Sequence, residues 1–577
     1  MLHRLARVLI LPCLLIFAFV TPAAAQLTFT VNNSGDGTDN FIGNNVCATV
    51  SGVCTLRAAV QEANNSAVAD TINFSVSVVT LTRTGVDDTA VNGDLDITNP
   101  VTINGANAMI VNRTGERTFQ IISGLVQVND LQVTAVRTGD NGGAFMVSST
   151  LILDNVHMHH INANDGMAVF AANGTSINIL NSSITNNTGS SGALYNSGAA
   201  TFTVVNTTIS NNFGTAVGGV FNISNTGDFS RFEHVTITEN LTLGSTATDA
   251  GGILTLGDFG PVFKNSILSG NDRRFSGPPG IDCATNLASN HLISQGGNVF
   301  GSLINCTVTY AGDRNTFDEG LDPLTVQLFS GNAFHLPQAL SPALFLGQEC
   351  QAQDQNGDPR PANDCTAGAI EAPLLLLTTN GGFESGLTGW TVAGTSVKAK
   401  DVDPFTGLQH LEVKGGSASI RTLSQKITLD PFTTPVPEFV VVDLYYQAVS
   451  GTSILSISLE FKREFGEKVK LKLPVVNDTL ERLPEDYRRA TYRLLVDQRV
   501  TDEPILTDPR ATPPPSSVTF KLVDSSLSGK LYVDDIRVYF YGGEVQPGGG
   551  ARGADPGTRG LPLLPPPLIP DGFRGKN

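Results

Sequence analysis

Apolar and polar positions recur along the first half of the chain with a long, nearly constant period. Six segments share the order apolar–x–Asn–x–x–apolar, beginning at Val128, Leu153, Ile179, Val204, Phe232 and Phe263. Their third position holds Asp130, Asn155, Asn181, Asn206, His234 and Asn265, with successive separations of 25, 26, 25, 28 and 31. A second column, Gly143, Gly166, Gly192, Gly219 and Gly252, keeps step with the first and precedes short apolar runs. Each period therefore holds two or three short strands divided by Gly/Asn/Asp/Ser turns, with no helical period between them. Strands this short bury their alternating apolar residues when each stacks on its equivalent one period later, which is a parallel β-helix. The crossover preference makes it right-handed. Weaker rungs precede it at Thr71–Phe74, Val79–Thr82, Leu95–Ile97 and Val101–Gly105. The Asn column has a structural reading: Asn tolerates unusual turn angles, and stacked amides at Asn155, Asn181, Asn206 and Asn265 can bond from rung to rung.

The pattern changes at both ends. Leu56, Ala59, Val60 and Ala63 recur at helical spacing behind Thr55, predicting a short capped helix over 55–65. From Pro373 a new series of strand-like runs begins and continues to about 541, and the last stretch, 542–577, is rich in Gly and Pro and reads as a disordered tail. The opening residues carry Arg4, Arg7, an apolar run and Thr21–Ala25, which together read as a secretory signal peptide over 1–25. The expected order is signal peptide 1–25, N-terminal cap 26–69, solenoid 70–372, second domain 373–541 and tail 542–577. No later apolar stretch is long enough to span a bilayer.

Composition narrows the function classes. Charged residues are 15% of 577 and the net charge is −17, which lacks the basic face that nucleic-acid binding needs. Of seven cysteines, Cys13 lies in the leader. The other six fall into local couples, which favours the pairs Cys47–Cys54, Cys283–Cys306 and Cys350–Cys365 in an exported chain. Their spacings lack the C-x-x-C pairs of zinc sites.

Cys54-Thr55-Leu56-Arg57-Ala58-Ala59 with Ala63-Asn64 resembles the signature of bacterial CSLREA-domain β-helix proteins, which have the pectin-lyase-like fold. Thr55 stands for Ser, and Ala58 stands for the Glu that would complete a reciprocal capping box. Asp354-Gln355-Asn356-Gly357 through Arg360-Pro361, followed by Cys365 to Glu371, resembles the closing motif of the same proteins; Arg360 and Glu371 are placed to pair. The resemblance covers about 27–372 and implies a secreted or surface solenoid without assigned chemistry. Asn380 to Trp390 and Val533-Asp534-Asp535-Ile536 are similar to the opening and close of galactose-binding-like jelly rolls, including carbohydrate-binding modules. In that fold the first and last strands are neighbours, which would bring Glu384 near Asp534 or Asp535 as hard-oxygen ligands for a structural calcium ion. Trp390 reads as core, and Tyr445, Tyr446, Tyr487 and Tyr492 as the aromatic candidates for sugar.

The expected fold class is all-β: a right-handed parallel β-helix followed by a β-sandwich jelly roll. No clustered Asp-Asp, Gly-His-Gly or Arg-x-Lys set marks an active site, so no residue is assigned to catalysis and no catalytic cofactor is expected. His157, His159 and His160 form the nearest constellation; with Val156 and Met158 inward, His157 and His159 project outward together as a possible metal pair. Arg113, Arg117, Arg137, Asp140 and Asp165 are candidates for a rung surface. The leading function is a non-catalytic exported surface or adhesion protein whose partner is an extracellular polysaccharide or cell-surface glycan. The alternatives are a β-helix polysaccharide lyase or glycoside hydrolase, and a purely structural surface-layer component.

Overall fold

A computed structural model describes residues 26–541 except 67, 136–137, 225–229, 245–248, 258, 274–280, 286–291, 305, 307, 309–311, 317, 328–330, 339–340, 394–396, 402–408, 415–420, 429–438, 463–467, 473–475, 479–487, 496–516 and 525–527. The leader, the Gly/Pro-rich tail, Arg137 and Tyr487 lie outside the described residues. Two compact units divide between Ala372 and Pro373.

The first unit is a parallel β-solenoid. Its largest sheet takes one strand or strand pair from each turn, with Val101–Asn112, Leu125–Ala135, Thr150–His159, Thr201–Ser210 and Arg231–Thr238 among its members. A second, nine-stranded sheet runs from Leu95–Ile97 to Leu303–Ile304, and a third has four strands from Thr188–Ser191 to Asp272–Arg273. The register places like on like: Val101, Val126, Leu151, Ile177 and Phe202 stack as one buried column. Burial of these columns, at about 25 cal/mol per Å² of apolar surface, is the main force holding rung to rung.

The sixfold polar column bends each rung. Asp130, Asn155, Asn181, Asn206, His234 and Asn265 all have positive φ, between 47° and 54°, a left-handed conformation that Asn and Asp accept more readily than other residues with a Cβ. Their side chains bond along the column in part. Asn155 Nδ2 donates to Asp130 Oδ1 (2.7 Å), Asn206 Nδ2 to Asn181 Oδ1 (3.3 Å), and Asn265 Nδ2 meets His234 Nε2 (3.1 Å), whereas Asn181 turns to Asp154 Oδ1 (2.8 Å). A more regular ladder lies inside the coil. Asn187, Asn212, Asn240 and Asn271 are at most 1% exposed, and each amide donates to the next at 2.9 Å before the series ends on Asp282 at 2.8 Å.

The N-terminal cap is the helix Leu56–Asn64. Thr55 Oγ1 accepts from Ala58 N at 3.1 Å, so the single retained half of the capping box suffices. Arg57 is fully buried on Asp36 (2.7 Å) and also donates to the carbonyls of Ala90, Gly93 and Asp94. The closing motif behaves differently from a simple end cap. The described residues of 319–371 run back along the outer flank of the first sheet: Gln355 accepts from Thr208, Ala369 N donates to Thr236 Oγ1, and Gln348 N donates to Asn265 Oδ1. Disulfides join Cys47–Cys54, Cys283–Cys306 and Cys350–Cys365.

The second unit is an antiparallel sandwich. Its long strand Phe439–Lys462 bends between two sheets, pairing first with Arg488–Leu495 and Ser528–Tyr541 and then with Ser517–Asp524. The opening strand Leu374–Leu376 lies beside the closing strand Ser528–Tyr541. Trp390 is 8% exposed, donates Nε1 to Asn380 O (2.9 Å) and meets Phe520 edge-on, which makes it a core residue. Among the described residues no helix is long and apolar enough to cross a membrane.

Candidate functional site

Where the returning segment meets the solenoid flank it leaves a cleft of about 350 Å³. Asp154, Asn155 and Asn181 supply one wall, from the bend of two consecutive rungs; Gln327, Asn332 and the Gln353–Gly357 turn supply the other. Every side chain in that lining is an amide or a carboxylate. Several are held in place by their own bonds. Asn332 donates to Asn181 O (3.1 Å), and Gln355 Nε2 donates to Asn332 Oδ1 (2.9 Å). Asp354 accepts from the backbone N–H groups of Asn356, Asp358 and Glu371 at 2.8–3.0 Å. Burial nevertheless raises its carboxyl above the usual value, the N–H donors opposing the shift. Asn356 Oδ1 is buried without a partner among the described residues. Amides offer donor and acceptor side by side, which matches vicinal hydroxyls, and no cationic or aromatic group shares the lining.

A second cluster stands on the second sheet. Arg117 Nε lies 3.6 Å from Asp94 Oδ2 and its Nη2 lies 3.6 Å from Asp140 Oδ1, while Nη1 donates to Gln120 Oε1 at 2.5 Å. Burial, reinforced by the charge of Asp96, pushes Asp94 up to about 7, and burial pushes Asp96 up to about 6. Glu116 is raised by burial and by Asp140. Asp96 and Gln120 begin a register column that continues through Met146, Phe170, Tyr195 and Phe221. The last three rings stack at 4.9 and 4.4 Å, covering one another's faces and turning their edges outward. Arg117 and Asp140 thus do come together. Asp165 acts on Tyr195 instead, and Arg113 stands exposed. Asp94, Asp96 and Glu116 were not legible as members, since Glu116 sits one rung on from Asp94 and Asp96 and only the stacking of Leu95–Ile97 on Phe119–Ile121 brings them together.

Val156 and Met158 point into the core, and His157 and His159 share the opposite face with rings 4.3 Å apart. His157 is not exposed, however; it is 5% accessible and meets Thr185 Oγ1 at 3.1 Å. Burial lowers all three histidines, His159 to about 4, with His160 adding to the shift.

In the sandwich, Glu384 Oε1 accepts from Gln409 N (3.0 Å) and Asp534 is wholly buried; the Asp535 side chain is outside the described residues. So are the side chains of Tyr445 and Tyr492, while Tyr446 packs partly buried on the core. Among the described residues one trio of ligating side chains converges, His234, Cys350 and Cys365, and its two cysteines are already joined to each other.

No family model matches the chain and no curated protein matches it. Solved structures with a likeness include a Family 16 Carbohydrate Binding Module-2, 17% identical over 28% of this chain and 98% of that one, with a TM-score of 0.21. The CBM22-1 xylan-binding domain from Paenibacillus barcinonensis Xyn10C is 16% identical over 30% and 98%, TM-score 0.22. The enzymatically active domain of bacteriophage CBA120 tailspike protein 4 is 13% identical over 82% of this chain and 61% of that one, TM-score 0.26.

Proposed function

We propose that this chain is a non-catalytic, exported surface or adhesion protein that binds a neutral glycan in the flank cleft of its solenoid, with the sandwich as an appended module. The observation that carries the reading is the lining of that cleft: amides and carboxylates fixed by their own hydrogen bonds, with no cation among them. Such a surface satisfies hydroxyls and repels uronates or phosphates, because Asp154 and Asp354 contribute only negative charge. Three disulfides support an oxidising compartment.

Titration of the full chain with neutral and uronic oligosaccharides tests it. Binding of neutral sugars that weakens about tenfold in a Gln353→Ala/Asn356→Ala variant of unchanged melting temperature supports the cleft. Binding confined to uronic polymers, or indifferent to the two substitutions, overturns it.

A glycoside hydrolase is favoured by one separate observation, the Asp94 carboxyl poised near neutrality beside Arg117, because glycosidic cleavage needs a proton donor of raised pKa. Release of new reducing ends by the full chain, abolished in Asp94→Asn, would select that reading over the first.

A further inference from the structure

The rung that ends at His160 departs from its neighbours at three positions. In the register of the first sheet, His157 and His159 stand opposite Ser183 and Thr185, and the next two rungs continue with Thr208 and Ser210, then Thr236 and Thr238. Those short hydroxyl side chains serve the returning segment: Ser183 Oγ accepts from Ala333 N (3.0 Å), and Thr236 Oγ1 from Ala369 N (2.9 Å). The following turn position has positive φ on each rung and is Asn186 and then Asn211, but here it is His160, at 53°. Three imidazoles thus occupy places that the next two rungs fill with two hydroxyls and an amide; the rung before has Gln132 opposite His157, and the third rung on has Glu239 at the turn.

The geometry of the last two, His159 and His160, suits shared coordination. Alternate residues of a strand face the same side, so His157 and His159 project together, and the left-handed turn brings the next residue round to join them. His159 Nδ1 and His160 Nδ1 lie 2.8 Å apart in a hydrogen bond between the two rings, whose proton a bound ion would displace. Two nitrogens each about 2.05 Å from one ion and at right angles to each other stand about 2.9 Å apart, whereas tetrahedral coordination separates them by about 3.4 Å. The observed spacing fits the first case. Beside that pair, His157 Nδ1 and His159 Nε2 are buried with no hydrogen bond among the described residues.

We propose that His159 and His160 chelate a divalent transition-metal ion of the copper(II) or nickel(II) type through their Nδ1 atoms, with His157 fixing the His159 ring by stacking. Imidazole donors at right angles match the tetragonal preference of those ions.

The test uses the untagged full chain titrated with copper(II) chloride and nickel(II) chloride. The wild type is expected to bind one ion, with electron paramagnetic resonance of the copper form showing coupling to two imidazole nitrogens. A His159→Thr/His160→Asn variant takes the residues used at 185 and 186 on the next rung, so its fold is retained by circular dichroism, and its affinity falls by more than about tenfold. His157→Ser keeps the two-nitrogen signature with a smaller loss of affinity. Equal binding by the Thr/Asn variant, or no binding by the wild type, overturns the proposal.

Discussion

Arg360 closes on Glu371 at 2.9 Å with its guanidinium wholly shielded from solvent, and the same group donates to the carbonyls of Thr366 and Gly368 at 2.9 and 2.8 Å. Glu371 in turn accepts from the Thr366 backbone and hydroxyl. This knot holds the end of the returning segment in the shape that presents Asp354 and Gln355 to the cleft. Arg360→Ala leaves the largely buried Glu371 without its counter-charge, and should cost about 3–5 kcal/mol. Arg360→Lys recovers little, because one ammonium cannot reach the same acceptors. Urea unfolding of both variants measures this; a loss below about 1 kcal/mol would show that the knot is incidental.

The two Asn columns should respond differently to mutation. Asn212 stands in the inner ladder, bonded to both neighbours, so Asn212→Ala orphans buried amides and should cost about 1–3 kcal/mol for each group left unpaired. At the bend, what matters is backbone angle. Asn155→Gly should change stability little, and Asn155→Val should cost about 1–2 kcal/mol from its left-handed φ of 54°. Denaturation midpoints that rank Asn155→Gly below Asn212→Ala would contradict this division.

Asp94 and Asp96 set a pH dependence of unusual sign for carboxyls. Their folded values, about 7 and about 6, exceed the unfolded value near 3.8, so between those limits the native state binds more protons than the unfolded state. Their contribution to stability is therefore present at low pH and is lost as pH rises through 6 and 7. Melting temperatures at pH 5 and pH 8 should differ less in Asp94→Asn/Asp96→Asn than in the wild type. An unchanged difference would remove these two groups as its source.

Reducing or deleting Cys350–Cys365 frees the chain just beside the cleft turn. The bond spans 15 residues, and its removal as a Ser/Ser variant should cost about 3 kcal/mol. Early proteolytic cutting between 350 and 365 would accompany it. Resistance equal to the wild type would place the segment's stability elsewhere.

The repeating part of the fold was legible because rungs are near neighbours in sequence. Separations of 25 to 31 residues name the six bend positions, and each of them has the same left-handed angle. The inner ladder escaped notice although Asn187, Asn212, Asn240 and Asn271 keep the same spacing. In Asn186-Asn187 and Asn211-Asn212 the second Asn reads as more of the turn, and nothing local says that it points inward. The cleft was not legible at all. Asn332 reaches Asn155 and Asn181 through packing of a segment with no period of its own, and pairing at such distance leaves no local pattern. The acid cluster failed for a related reason: burial, not proximity in sequence, raises Asp94.

Asn155 and Asn332 face each other across the cleft, although 177 positions separate them in the chain. A polypeptide emerges from synthesis with its N-terminus first, and each rung needs only its predecessor in order to stack. The coil can therefore grow turn by turn while the opposite wall of the cleft is still unmade. A chain halted before the returning segment would have a shaft and no binding pocket. Ligand capture by this cleft, as proposed, would thus belong to the finished molecule alone, withheld during biogenesis by the order in which the walls arrive.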